Sequence, residues 1–238
     1  MKRILITIVA IVALTLPMNA QRFRFSEAAD LAFGNRTFFV EPISYLGFGW
    51  HLFNNEMATE QNAYNSEFFV NIMELGIRPA SGFMIALGVD YKLDQYRLNS
   101  SYLWGSETGS SAWIRPLDMS PYKSVKFSRL NVNTFSVPLS FEFRTWKCAF
   151  RIGAAGEYNL PGVNKNKLVK PDGTTETHKV TGIPVKEFNY SFFGAISYGG
   201  IGVFVRYRPT YQFTKDSNGL LGPQFKSLSI GAVIGLGM

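Results

Sequence analysis

The chain has 238 residues, of which 46% are hydrophobic, 15% aromatic and only 17% charged. Soluble domains carry roughly 25% charged residues, so this surface is either small or partly turned away from water. The single cysteine, Cys148, excludes an intrachain disulfide framework and any cysteine zinc site, and two histidines, His51 and His178, leave little room for metal or acid–base chemistry.

At the start, Lys2 and Arg3 precede an apolar stretch from Ile4 to Leu16, which Pro17 breaks before Met18-Asn19-Ala20. This is the pattern of a secretory signal peptide over residues 1–20, cut after Ala20. The apolar stretch is shorter than the 17–25 residues of a spanning helix. Residues 21–36 read as a periplasmic lead-in and residues 37–238 as the folded part. No later apolar run reaches the length of a membrane helix. The basic residues behind the net charge of +7 do not cluster into a patch, so scattered solvated charge and no nucleic-acid partner are expected.

Along the rest of the chain the hydrophobic period is two, the period of strands. A first strand is expected over Thr37–His51, with Phe38, Val40, Leu46, Phe48 and Trp50 on one parity but Ile43 and Tyr45 off it. A second is expected over Glu67–Arg78. The clearest alternation follows, with Phe83, Ile85, Leu87, Val89 and Tyr91 against Met84, Ala86, Gly88, Asp90 and Lys92. Phe135 to Arg144, Cys148 to Tyr158, Glu187–Tyr198, Ile201 to Gln212 and Ser227 to Gly237 complete a set of about eight strands. Pro138 and Pro209 fall inside two of them, where a proline lacks the ladder donor and is expected to mark a bulge or local break.

Connections alternate in length. Leu52 to Ser66, Asp94 to Lys126, Leu160 to Lys186 and Thr214 to Phe225 are long. Pro79-Ala80-Ser81-Gly82, Thr145-Trp146 and Gly199-Gly200 are short. An up-and-down barrel puts odd and even connections at opposite ends, and outer-membrane barrels carry long extracellular loops and short periplasmic turns.

Alternation also fits a soluble lipocalin-like barrel with its apolar face inside; residue size separates the two. The non-apolar parity is rich in Gly, Ala and Ser and holds Glu74, Arg78, Asp90, Lys92, Glu142, Arg144, Arg151, Glu157, Arg206 and Arg208. An eight-stranded interior is just wide enough for side chains. Small and ionic residues fit it, and a stack of Phe, Tyr, Ile and Leu would overfill it. The expected fold is therefore all-β, a closed antiparallel up-and-down transmembrane β-barrel of about eight strands with its apolar face outward.

Inside such a barrel the charges must pair, since an isolated buried ion is strongly disfavoured. Glu142 and Arg151 fall in a diagonal relation across the Thr145-Trp146 turn; Glu157, Asp90 and Glu74 are expected to find partners among Arg206, Arg208, Lys92 and Arg78. On the outside, Tyr91, Tyr158, Tyr190 and Tyr211 lie near the long-loop ends, and Phe83, Trp146 and Tyr198 near the short turns, as two interface bands. Cys148 reads as an inert lipid-facing hydrophobe. Tyr102, Trp104, Trp113 and Tyr122 are candidate loop contacts for a protein or glycan partner.

Short segments also point to a family: Asn19-Ala20-Gln21 at the exported start, Glu74-Leu75-Gly76-Ile77-Arg78-Pro79, Ser136-Val137-Pro138-Leu139, and the glycine-rich end from Ser229 to Met238. On these the chain resembles the PorT-like outer-membrane β-barrel proteins of Bacteroidota. The resemblance implies an eight-stranded barrel in the outer membrane of a Gram-negative bacterium. It carries no specific role over, and the terminal Met238 departs from the aromatic residue that usually ends such barrels.

The functional expectation is a barrel of structural or binding type in outer-membrane lipid, presenting long loops around a charged, side-chain-filled lumen without a wide pore. Alternatives are a narrow conduit or a small lipid-modifying enzyme, the latter because His51 lies at the long-loop end of the first strand, in reach of loop serines and Glu56. No motif enforces such a triad, so no catalytic residues are assigned, and His178 reads as solvated. No Gly-rich phosphate loop, zincin or EF-hand pattern occurs, and neither cofactor nor metal is expected.

Overall fold

The computed structural model describes residues 38–53, 65–80, 82–97, 102–107, 111–116, 120–212 and 226–235. The expected segments 1–20 and 21–36 lie outside them. The described elements are all strands: β1 (Phe38–Pro42), β2 (Leu46–Phe53), β3 (Ser66–Ala80), β4 (Phe83–Arg97), β5 (Tyr102–Glu107), β6 (Ser111–Pro116), β7 (Ser124–Thr145), β8 (Cys148–Asn159), β9 (Gly162–Val169), β10 (Thr175–Ile183), β11 (Phe188–Tyr198), β12 (Ile201–Arg208) and β13 (Ser227–Ile234).

Strand pairing closes the sheet. β3 pairs β2, β2 pairs β13, and the chain of partners runs on through β12, β11, β8 and β7 to β4, which pairs back to β3. All these pairings are antiparallel and this ring has eight members, so no strand in it presents a free edge. At one end the ring is joined by tight turns: Gly199 and Gly200, both at positive φ (57° and 84°), link β11 to β12, as a two-residue hairpin loop requires. Trp146 links β7 to β8 with φ of 52°, which is unusual for a bulky residue.

The expected first strand is broken in two. Ile43 adopts a φ of 50°, and β1 and β2 on either side pair successive lengths of β3. The break turns Ile43 outward, while the off-parity Tyr45 keeps the inward parity of Phe39 and points into the barrel. A second irregularity is an extra residue in β3 between Asn71 and Met73. Inward residues are odd-numbered before it (Glu67, Phe69, Asn71) and even-numbered after it (Glu74, Gly76), a switch that hides Glu67 from a single alternation.

Several strands outrun the expected bounds. β4 continues to Arg97 and β7 is 22 residues long, so the supposed loop from Asp94 to Lys126 is largely strand, including the separate β5–β6 hairpin. Likewise Leu160 to Lys186 contains the β9–β10 hairpin, which pairs with Ser124 to Asn131 of β7 and prolongs the wall beyond the barrel. Strand β12 stops at Arg208, so Pro209 ends it rather than bulging it. Pro138 does lie within β7, and the β4–β7 pairing lapses there between Leu87–Leu139 and Asp90–Ser136.

The apolar parity faces out. Leu87, Phe141, Val205, Ile152 and Phe192 are exposed, while Glu142, Glu157 and Lys92 are buried. This is the reverse of a soluble lipocalin-like barrel. Around the wall, Tyr91, Phe135, Tyr158 and Phe188 are directly opposite one another on four neighbouring strands. Near the short turns Phe83, Phe143 and Phe150 do the same, with Trp146 against Tyr198 beyond them at 5.9 Å. From Tyr198 to Phe188 on β11 the strand climbs ten residues, or about 25 Å along the axis of a tilted barrel.

Candidate functional site: an ion-paired lumen and a basic rim

Small inward residues make room for a filled interior. A Cβ at Gly47 would run into the ring of Phe69, and one at Gly76 into the ring of Phe39. With glycine there, those rings turn into the lumen. Phe39, Met84 and Ala86 close the short-turn end as a buried apolar layer.

Above it lies a first ionic layer. Arg151 donates to both oxygens of Glu74 (2.6 and 3.0 Å) and through Nε to Glu142 at 2.7 Å. Glu142 and Arg151 are directly opposite in register, rather than diagonal, and Arg144 also pairs with Glu142 from the half-exposed mouth. The Arg151 guanidinium lies 4.9 Å from the centre of the Tyr45 ring. Next come Phe69, Phe204 and Val233, and Arg206 stacks 4.5 Å from the Phe69 ring. Asp90 does not find the expected cation: among the described residues it has no ion pair, and Asn71 Nδ2 donates to it at 2.7 Å and Tyr45 Oη at 3.4 Å.

The largest network sits toward the long-loop end. Arg208, 1% exposed, donates from Nε to Glu157 (2.7 Å), from Nη2 to Asp94 (3.2 Å), and from Nη1 to Tyr96, Gln212 and Ser227 at 3.0–3.2 Å. Lys92 Nζ donates to Glu157 at 2.8 Å and lies 3.5 Å from Asp94, and Ser191 completes Glu157 at 2.8 Å. Each cation is thus shared among acceptors, the arrangement that makes buried charge tolerable.

His51 belongs to this network, but not with the loop serines or Glu56, the latter lying outside the described residues. Its Nδ1 is 2.9 Å from Ser229 Oγ and its Nε2 3.2 Å from Asp94 Oδ1. That order resembles a nucleophile, base and orienting acid. The surroundings do not serve such chemistry. Ser229 is 1% exposed, its hydroxyl donates to Glu67 at 2.8 Å, and Glu67 is clamped by Arg206 at 2.5 Å. A reacting carbonyl would need to sit about 3 Å from Oγ, where protein atoms already pack. His51, Glu67 and Asp94 also offer three ligand atoms within 4.8 Å of one another. Both carboxylates are already neutralised by Arg206, Arg208 and Lys92, so a metal would have to displace guanidinium partners, and the cluster fits ion pairing better than coordination.

Of the expected lumen set, Arg78 is misplaced. It lies half-exposed at the short-turn mouth, pairs with Glu41 at 3.2 Å and stacks 4.7 Å from the Phe39 ring; Glu74 pairs with Arg151 instead. The sequence pattern singles out His51 but sets it beside loop serines and Glu56 rather than Ser229 and Asp94, and it does not mark Glu67, Asp94 or Ser229 as lumen residues. Asp94 continues the inward parity of Asp90 and Lys92 past the expected end of that strand.

On the outer face, Tyr158, Tyr190, Tyr198, Tyr211 and Trp146 are exposed, with Tyr91 and Phe83 half-buried. Tyr91 Oη donates to Asn133 at 2.8 Å, and Cys148 is a half-buried thiol at the start of β8. Tyr102, Trp104 and Trp113 fall on the β5–β6 hairpin, and their side chains are outside the described set. Tyr122 is half-buried, with its hydroxyl 3.4 Å from Nε2 of His178, which is exposed and also pairs with Glu176 at 2.8 Å. The expectation of scattered basic charge is overturned: Arg97, Arg129, Lys165 and Lys179 stand directly opposite one another across β4, β7, β9 and β10.

No family model matches the chain, and no curated protein matches it. Among solved structures it is similar to Ail, the attachment invasion locus protein of Yersinia pestis, solved with the heparin analogue sucrose octasulfate. That match has 10% identity and a TM-score of 0.31, covering 83% of this chain and 96% of Ail. The barrel assignment rests on this chain's own strand pairing.

Proposed function

We propose that this chain is an outer-membrane β-barrel of structural or binding type, of the PorT-like kind. Its strands anchor it in lipid, and its extended β7–β9–β10 wall and long connections are presented at the cell surface. The observation that carries this reading is the inversion of the barrel: exposed Leu, Ile, Val and Phe between two aromatic bands, around an interior of paired ions. In water that exterior would be an apolar patch far larger than soluble monomers tolerate; in hydrocarbon it is the required surface. The apolar start from Ile4 to Leu16 supports export.

The filled lumen supports binding or scaffolding over transport. Lys92, Glu157 and Arg208 are buried in the interior and paired with one another, and water-filled channels need about 16 strands. Expressed with its leader in a Gram-negative host, the protein should sediment with outer membranes and run faster on gels when unheated than when boiled. Recovery as a soluble product with no heat-dependent shift would refute the membrane reading.

A further inference from the structure

Like charges placed directly opposite one another weaken a sheet. Yet Arg129, Lys165 and Lys179 occupy one cross-strand row, flanked by Arg97, and Lys167 stands in the next row beside Phe127 and Thr177. The row below holds Gln95, Asn131, Val163 and Thr181, so among the described residues no carboxylate stands in any of the three. Lysines nearby are treated differently: Lys170, at the hairpin tip, pairs with Glu176 at 3.0 Å. Among the described residues, Lys165, Lys167 and Lys179 have no carboxylate partner. Their sheet face is the outer one, because the opposite face carries the buried Leu130, Asn164, Asn166 and Leu168. Four strands spaced about 4.8 Å apart spread the row over about 14 Å.

Height selects the occupant. Arg97 and Arg129 lie six residues beyond Tyr91 and Phe135 on the same outward parity. That is about 20 Å along the strand and roughly 15 Å along the axis of a tilted barrel. Acyl chains end at the aromatic row and the head-group layer fills about the next 5–8 Å, so the basic row overlooks that layer from above. Lysine stems reach several ångströms along the wall toward that layer.

We infer that Arg129, Lys165, Lys167 and Lys179 form a binding site for the phosphorylated head groups of the lipids around the barrel, on the outer rim of the β7–β9–β10 wall. The inference rests on the membrane reading above. The anion supplies the counter-charge that Lys165, Lys167 and Lys179 lack among the described residues, and it draws the extended wall against the membrane surface.

The test uses the full mature chain in vesicles of phosphatidylcholine with and without phosphatidic acid. Co-flotation reports insertion, and native mass spectrometry after detergent extraction reports retained lipid. The unmodified protein should float with both vesicles and keep phosphatidic acid selectively. Replacing Lys165, Lys167 and Lys179 by Gln should leave flotation unchanged and weaken retention about 100-fold, since each lysine near an anionic surface contributes roughly fivefold. Lys170→Gln, on the same hairpin, should change retention little. Flotation with equal retention in the triple variant overturns the lipid site alone. Failure to float overturns the membrane reading and this site with it. Selective binding of soluble polyphosphate, with no preference among lipids, overturns the lipid as occupant.

Discussion

At the residue scale, the lumen depends on cations that each satisfy several acceptors. Arg208 uses its guanidinium on Glu157, Asp94, Tyr96, Gln212 and Ser227, all in the interior. Removing one partner of such a buried cluster strands the others, at a cost of about 3–5 kcal/mol. Arg208→Met should therefore lower the urea midpoint of the detergent-folded barrel sharply. Arg78→Met, which breaks only the half-exposed pair with Glu41, should cost less than about 1 kcal/mol. Equal effects would mean that the interior charges are not desolvated. Gly47 acts through space rather than charge. Gly47→Ala forces the Phe69 ring to move and should destabilise by about 1–3 kcal/mol in the same unfolding measurement.

At the element scale, each strand of the ring has one face for ions and one for hydrocarbon, and β4 shows both most cleanly. Leu87 lies midway between Phe83 and Tyr91 on the outward parity. Leu87→Arg should cost about 2–4 kcal/mol when folding is measured into lipid vesicles. An unchanged folding free energy would place this face outside the bilayer. The β9–β10 hairpin behaves as a polar element beyond that boundary. At its tip the Thr174 hydroxyl (2.6 Å) and then its amide (2.8 Å) donate to Asp172, which holds its carboxyl below the ordinary aspartate range. The folded turn thus favours the charged form. Its contribution is complete above the unfolded-state value and is lost as pH falls through the lower folded-state value. An NMR titration of the Thr174 amide should show its midpoint below that of an unperturbed aspartate, and a midpoint at or above it would contradict the turn.

At the scale of the whole molecule, closure matters more than any one strand. The eight-membered ring leaves no edge, and its diameter admits side chains but no continuous water column. Purified protein in planar bilayers should give no stepwise porin-like conductance; such steps would contradict a filled lumen. The β5–β6 and β9–β10 hairpins make the barrel asymmetric, with nearly all extra structure at one end. The other end is finished by tight turns.

Strand identity, the alternation of long and short connections, and the outward sense of the apolar parity were legible in the chain itself. Each is a local property: a period of two, a Gly-Gly turn, bulky against small side chains. The Glu142–Arg151 pairing was also legible from the short turn, but not its register: Thr145 belongs to β7, so the two residues stand directly opposite rather than diagonal. Glu67 was not legible, because the bulge after Asn71 reverses parity within one strand, and neither was Asp94, because the outward residues of β4 turn polar at Gln95 and Arg97 and the apolar alternation ends there. His51 meeting Ser229 and Asp94, and four cations from four strands falling in one row, depend on ring closure and on register between segments up to 178 residues apart. Those distances are set by pairing across the sheet, so only the tertiary structure decides them.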